Sequence, residues 1–407
     1  MIQNKLAKNA THAGGKGEIL HDWYPYLEGF SSEFVYFILE KYFKKPSRLL
    51  EPYAGVGTTP ISLWRANIDC DYCEVNPFLK ELIDYKRDFL NEKKITPKIL
   101  NEFKSKISKI NKYKEDVLLK DIYFNMFNKS MYFDDSNFSK LLRLHTLCEE
   151  FDPYFCRFFK LIVSSVILKS SLLKRSGDIR FKTKKELDKG IPNIIDLIND
   201  KIDIIINDLH KIKNGPPIVK KGKLITSNAK DLKKVKRLAK YDGVITSPPY
   251  LNGTNYIRNT KLELWFMGFI GNNGLSLRTY RDLVVTSAIN DVSKTVNSTI
   301  PSSAIACVNR IKESSYDLRI HKMVGEYFSQ MKLCFEGFQL LCKKNAPICI
   351  DIGDSLYNNI HVPTDEILID IMKELGINLV ENLYLRKRYS NNGTELSQRL
   401  LVFRNSK

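Results

Sequence analysis

The chain has 407 residues, 43% of them hydrophobic and 11% aromatic, which allows one large catalytic domain with an insertion or two modest domains and excludes wholesale disorder. A formal net charge of +18 points to a polyanionic partner, of which nucleic acid is the commonest. Residues 91–240 carry 34 Lys and Arg against 18 Asp and Glu, so +16 of the excess is concentrated there, where compositional drift would have spread it.

In chain order, residues 1–20 are polar and read as a flexible arm without the apolar core of a secretory leader. The eight cysteines are therefore expected to be reduced thiols of a cytoplasmic, nucleoid-associated protein. Ser31 or Ser32 opens a periodic apolar run to Phe43, and Pro46 closes that helical region. RLLEPY (48–53) reads as a buried strand entering a glycine turn, a helix follows over 58–67, and IDCDYCEV is a second strand ending at Glu74. Cys70 and Cys73 form a lone CxxC in that strand, so they are read as structural and no metal is expected. From about 80 to 220, Lys-rich amphipathic segments predict several helices, closed by the Gly-Pro-Pro at 215–217. Within them, Phe158 to Leu173 is too short and too polar to cross a bilayer and reads as a buried helix. Strands return at 223–229 and 241–250, a loop-rich stretch covers 271–318, a helix spans 322–342, APICIDIGD (346–354) is a buried strand, and a helix covers 363–375. The end reads as two strands joined by an Asn-Asn-Gly turn.

Three motifs carry chemistry. Glu51-Pro52-Tyr53-Ala54-Gly55-Val56-Gly57-Thr58 places two glycines at a strand end, allowing a tight turn and close backbone approach to a ligand. It lacks the third glycine of a dinucleotide site and the Gly-Lys-Ser/Thr of a phosphate loop, which argues against dehydrogenases and nucleoside triphosphatases. Glu74, at the next strand end, suits the two hydroxyls of a ribose. Thr246-Ser247-Pro248-Pro249-Tyr250 follows an apolar strand. Its prolines remove two N–H donors, so the backbone presents acceptors to an attacking amino group, and Tyr250 offers a flat face for an extruded base.

On these residues the chain resembles the DNA amino-methyltransferases over roughly 21–90 and 165–404. EPYAGVGT is similar to that family's cofactor loop, CEVNP (73–77) to its second cofactor motif, and TSPPY to its catalytic motif; YLNGTNYIRNTKLELWFMG (250–268) is similar to the segment after that motif in cytosine-N4 members. The Ser-Pro-Pro-Tyr form is typical of cytosine-N4 enzymes. The resemblance implies a Rossmann-like α/β sheet of seven strands with a C-terminal antiparallel hairpin, built from 1–92 and 222–407, and a basic, mainly helical insertion at 93–221. It implies S-adenosylmethionine as cofactor, held by Phe30, Glu51, Tyr53, Gly55, Gly57, Thr58, Glu74, Asn228 and Ser247, with Ser247, Pro248, Pro249 and Tyr250 catalytic. Asn228 stands where the family usually carries Asp, and its oxygen still accepts from an adenine amino group. Double-stranded DNA is the expected partner, contacted by the basic insertion with Arg175, Arg180 and Lys182 as candidates, alongside a cognate restriction endonuclease. The alternatives are adenine-N6 DNA methylation, an RNA amino-methyltransferase, and a catalytically idle nucleic-acid-binding protein.

Overall fold

A computed structural model of the chain describes residues 2–26, 29–91, 94–213, 222–236, 239–251, 254–271, 275–292, 299–315, 317–357, 359–390 and 392–406. The Gly-Pro-Pro at 215–217, Asn252 and Gly253 of the 250–268 segment, and Asn391 of the Asn-Asn-Gly turn lie outside these residues.

Two parallel strands start the sheet: β1 (Arg48–Glu51) and β2 (Asp69–Cys73), paired from Arg48–Asp69 to Glu51–Tyr72. Between them the helix Thr58–Arg65 begins directly at the glycine turn. A hairpin, β3 (Leu173–Ser176) and β4 (Asp178–Phe181), stands apart from the sheet. The sheet resumes with β5 (Leu224–Thr226), β6 (Val244–Thr246) and β7 (Pro347–Gly353). A small hairpin, β8 (Ser355–Tyr357) and β9 (Ile360–Val362), precedes the long strands β10 (Ile377–Tyr389) and β11 (Glu395–Asn405). The spatial order is β10-β11-β7-β6-β1-β2-β5, with β7, β6, β1, β2 and β5 parallel and β11 antiparallel to both neighbours. This is the seven-stranded sheet and C-terminal hairpin of a Rossmann-like methyltransferase. All residues of β7 are buried, as a central strand covered on both faces requires.

The helix Arg319–Leu341 packs on one face through Met323, Tyr327, Met331, Phe335 and Phe338, all buried at spacings of three and four. On the other face, the helices Pro97–Ile107, Asp135–Cys148, Pro153–Ile167 and Ile194–Lys213 form a layer whose Phe103, Phe159 and Ile198 share one continuous core with Phe34, Leu49 and Ile245. Of the run from Phe158 to Leu173, the part up to Ile167 is the buried end of the helix Pro153–Ile167, while Leu173 already opens β3. No helix among the described residues is long and apolar enough to cross a membrane.

Two expectations are corrected. Residues 1–20 are not a free arm. The helix Ile2–Asn9 is followed by buried Ala10 and Leu20, the Asn9 carbonyl accepts from Ser31 N–H, and the Ala10 carbonyl accepts from Gln398. Small apolar side chains and backbone acceptors, which carry little hydrophobic periodicity, seat this segment. The 271–318 stretch is also more ordered than its composition suggests. It holds the helix Ser302–Ser314, which buries Ala304, Cys307, Val308 and Ile311 on one face.

Candidate active site

All the parallel strands end on one edge, and the loops after them surround a cavity of about 290 Å³. Of the residues expected there, Phe30, Glu51, Tyr53, Gly55, Thr58, Glu74, Asn228, Ser247, Pro248, Pro249 and Tyr250 all line it. Gly57 stands just behind. Its φ of +85° starts the helix Thr58–Arg65, and a Cβ there would come within 2.7 Å of Ile83 Cγ1.

The glycine loop is tied from three sides. Gly55 N–H donates to Glu74 Oε2 at 2.8 Å, and Asn76 N–H donates to Glu74 Oε1 at 2.7 Å. Beneath it, the buried Lys86 ammonium donates to the Val56 carbonyl at 2.8 Å, with burial pulling its pKa down to about 7. Burial raises the Glu74 pKa to about 7, and the Gly55 and Asn76 N–H groups hold it from rising further.

Glu51 links β1 and β6. It accepts from Tyr53 N–H at 2.9 Å and from the Thr246 hydroxyl, joining the ends of β1 and β6. Only 2% exposed, its carboxyl is pushed up to about 7 by burial. A carboxyl raised above its unfolded value of 4.5 favours the fold in its protonated form. That contribution is complete below about pH 4.5 and is lost as pH rises through 7. Glu51→Gln is therefore expected to gain stability relative to the parent by about 2–3 kcal/mol between pH 5 and pH 8. Paired denaturant melts at the two pH values check this, and a pH-independent difference would contradict it.

Beside Ser247 and Tyr250 the structure adds a residue that sequence reasoning missed. Asp351, buried in β7, accepts from the Tyr250 hydroxyl at 3.0 Å and lies near enough to the Ser247 side chain to feel it, while Gln398 Nε2 donates to both its oxygens at 2.8 and 3.0 Å. Burial raises its pKa to about 6. The signal in the sequence was an acid inside the apolar run ICIDIG; it was read only as part of a strand. Arg386 and Arg388, two apart on β10, also line the cavity. Arg386 Nε donates to Gln398 Oε1 at 2.7 Å, and the Arg388 guanidinium lies 5.0 Å from the Tyr250 ring centre. Ala10, Thr11 and Tyr26 complete the wall from the N-terminal segment.

Asn228 is in place at the cavity edge, but its side-chain oxygen already accepts from Lys230 N–H at 3.0 Å, capping the short helix that comes next. The three basic candidates do not join the site. Arg175 is a correction. Its side chain is 8% exposed, it donates to Pro25 O, Tyr24 Oη and Asn259 O, and it faces buried Glu263 at 3.7 Å, so it is a structural cation with its charge spent internally. Arg180 is held by both oxygens of Glu186 at 2.8 and 3.1 Å, and Lys182 donates to the Lys169 and Ser171 carbonyls. Cys70 and Cys73 are buried thiols within β2, and no group of His, Cys, Asp and Glu among the described residues has metal-binding geometry.

The chain is 23% identical over 454 residues to the Type II methyltransferase M.BsoBI of Geobacillus stearothermophilus, covering 96% of this chain and 85% of that protein. Its relatives are Type II methyltransferases. A second, M.AvaI of Nostoc sp., is 25% identical over 431 residues with the same coverage, and so is M.AvaI of Anabaena variabilis. No family model matches the chain. The similarity runs across the N-terminal segment, the helical layer and the sheet alike, so the methyltransferase likeness is not confined to the glycine loop.

Proposed function

We propose that this protein is a site-specific DNA methyltransferase that methylates the exocyclic N4 of cytosine from S-adenosylmethionine, as the modification partner of a restriction endonuclease. One observation carries this reading: a single cavity has the glycine loop and Glu74 at one end and Ser247, Tyr250 and Asp351 at the other. The relatives' names supply the Type II context, and the Ser-Pro-Pro-Tyr form supplies the choice of cytosine.

The residues at the first end suit the cofactor. Glu74 keeps lone pairs for both ribose hydroxyls beyond those its two backbone donors take. Gly55, at φ +53°, lacks the Cβ that would project toward Tyr26 across the cavity, leaving backbone for close approach. Asn228 and Phe30 line the same cavity and are assigned the adenine and methionine ends of the cofactor. When bound, S-adenosylmethionine supplies an electrophilic sulfonium methyl group.

The chain's own residues do the rest. The cytosine amino nitrogen is a poor nucleophile because its lone pair is delocalised into the ring. Ser247 Oγ and the Pro248 carbonyl accept its hydrogens and draw it toward tetrahedral geometry, in line with the methyl. Pro248 and Pro249 contribute no competing N–H. Asp351, ionised above about pH 6, takes the released proton through the Ser247 hydroxyl. Tyr250, fixed by its bond to Asp351 and covered on one face by Arg388, stacks the extruded base on the other. The basic, mainly helical segment 93–221 is assigned to DNA contact and target recognition.

The test is product identification. The protein is incubated with unmethylated genomic DNA and S-adenosylmethionine, the DNA is digested to nucleosides, and these are analysed by mass spectrometry. N4-methylcytidine is expected from the parent and none from Ser247→Ala/Tyr250→Ala. N6-methyladenosine instead would keep the mechanism and overturn the base, and no methylated nucleoside would overturn the reading.

A further inference from the structure

Beside the catalytic cavity lies a second concavity, of about 420 Å³, lined by Arg278, Arg281, Arg319 and Lys322 together with Asn290 and a single acid, Asp282. Two separate parts of the chain bring the cations together: the short helix Leu277–Arg281 and the first turn of the helix Arg319–Leu341. We infer that this concavity binds the backbone phosphate of the DNA strand whose base enters the catalytic cavity. The inference rests on the DNA reading above and adds to it where the strand is gripped.

Arg278, Arg281 and Lys322 are available in a way that Arg175, Arg180 and Lys182 are not. Arg278 Nε is 3.9 Å from Asp282, beyond hydrogen-bond distance, and Arg278 is 58% exposed at its side chain. Lys322 is exposed. Arg281 faces the buried Asp291, whose carboxyl is pushed up to about 7 by burial, and Arg281 Nε is buried with no hydrogen-bond partner. Arg319 is held by both oxygens of Asp317 at 2.7 to 3.2 Å, as Arg180 is by Glu186, and with its side chain 57% exposed it adds a paired cation at the rim. A phosphate offers the acceptors these donors lack. Lys312, close enough to depress His321, adds to the positive field on the same side.

Position assigns the ligand. Arg281 and Asp282 line the concavity, and the next three residues, Leu283, Val284 and Val285, line the catalytic cavity. Consecutive Cα atoms are about 3.8 Å apart, so one stretch of backbone separates the two sites. The divider is anchored: Lys230 Nζ donates to the Val284 carbonyl at 2.8 Å and to the Asp282 carbonyl at 3.4 Å, two residues from Asn228 on the cavity wall. Phosphates recur about every 3.4 Å of axis along one strand. A phosphate held here therefore belongs to a nucleotide within a few positions of the extruded base, where backbone restraint favours extrusion.

The experiment measures binding of a 30-base-pair duplex of mixed sequence by fluorescence anisotropy from 50 to 300 mM NaCl. It compares the parent with Arg278→Ala/Arg319→Ala/Lys322→Ala. Calorimetry with S-adenosylmethionine and a thermal melt report the fold of each variant. The triple variant is expected to bind the duplex about tenfold or more weakly at 100 mM NaCl, with the slope of log K against log salt reduced by about 2 to 3, at unchanged cofactor affinity. Parent-like affinity and slope overturn the inference while leaving the DNA reading intact. A parent that binds no duplex overturns both. If the triple variant does not fold, Lys322→Glu alone decides, with a slope lowered by about 1 expected and an unchanged slope against the inference.

Discussion

Asp351→Asn is expected to lower kcat by about 10²–10⁴-fold while leaving S-adenosylmethionine affinity within about twofold of the parent. The carboxylate holds the Tyr250 hydroxyl and lies beside Ser247, and Asn keeps its size but not its capacity to take a proton. The parent's kcat/KM is expected to rise with pH through about 6, where Asp351 ionises, and then level off. Residual activity of the variant should lack that limb. Methyl transfer from radiolabelled cofactor between pH 5 and 8.5 gives both profiles. A variant within about fivefold of the parent, or one that keeps the limb, would remove Asp351 from the proton path.

The second large effect is expected at the glycine loop. Gly57→Val places a β-branched side chain at φ +85°, a region that costs such residues of order 1–3 kcal/mol, and drives its Cβ into Ile83 Cγ1, 2.7 Å away. Relief requires the turn to shift, and the turn carries Gly55, whose N–H must stay on Glu74. Cofactor binding by calorimetry should weaken by about 100-fold or more, and the melting temperature should fall by several degrees. Gly177→Ala is the control: its φ of +72° carries similar strain, but nothing lies within 4 Å of the added Cβ. It should cost some stability and no cofactor affinity. Equal cofactor loss in both variants would mean the effect is global, not local to the loop.

The parallel core of the fold was legible in the sequence because its signals are local. Short apolar stretches running into glycine or proline mark β1, β6 and β7, and the alternating Asp-Cys-Asp-Tyr-Cys marks β2. The N-terminal segment was not legible, because Asn9 and Ala10 are seated by Ser31 and Gln398, 22 and 388 residues away. The helix Ser302–Ser314 was obscured by its serines, although its buried positions keep helical spacing.

The same division runs through the site. The sequence by itself determined the chemistry-bearing residues whose role comes from backbone geometry: glycines 55 and 57 at a turn, the acid after β2, and prolines 248 and 249 stripped of donors. Tertiary structure alone decided where charge is free or spent. Arg175 looks like a surface cation in sequence and is consumed by Tyr24, Asn259 and Glu263. Asp351 looks like one acid in a strand and becomes the partner of a catalytic motif about a hundred residues earlier. Arg278 and Lys322 are unremarkable apart in sequence and share one concavity when folded. The physical reason is that an ionisable group's state is set by burial and by neighbours brought together from distant segments, and neither is encoded in the few residues on either side of it.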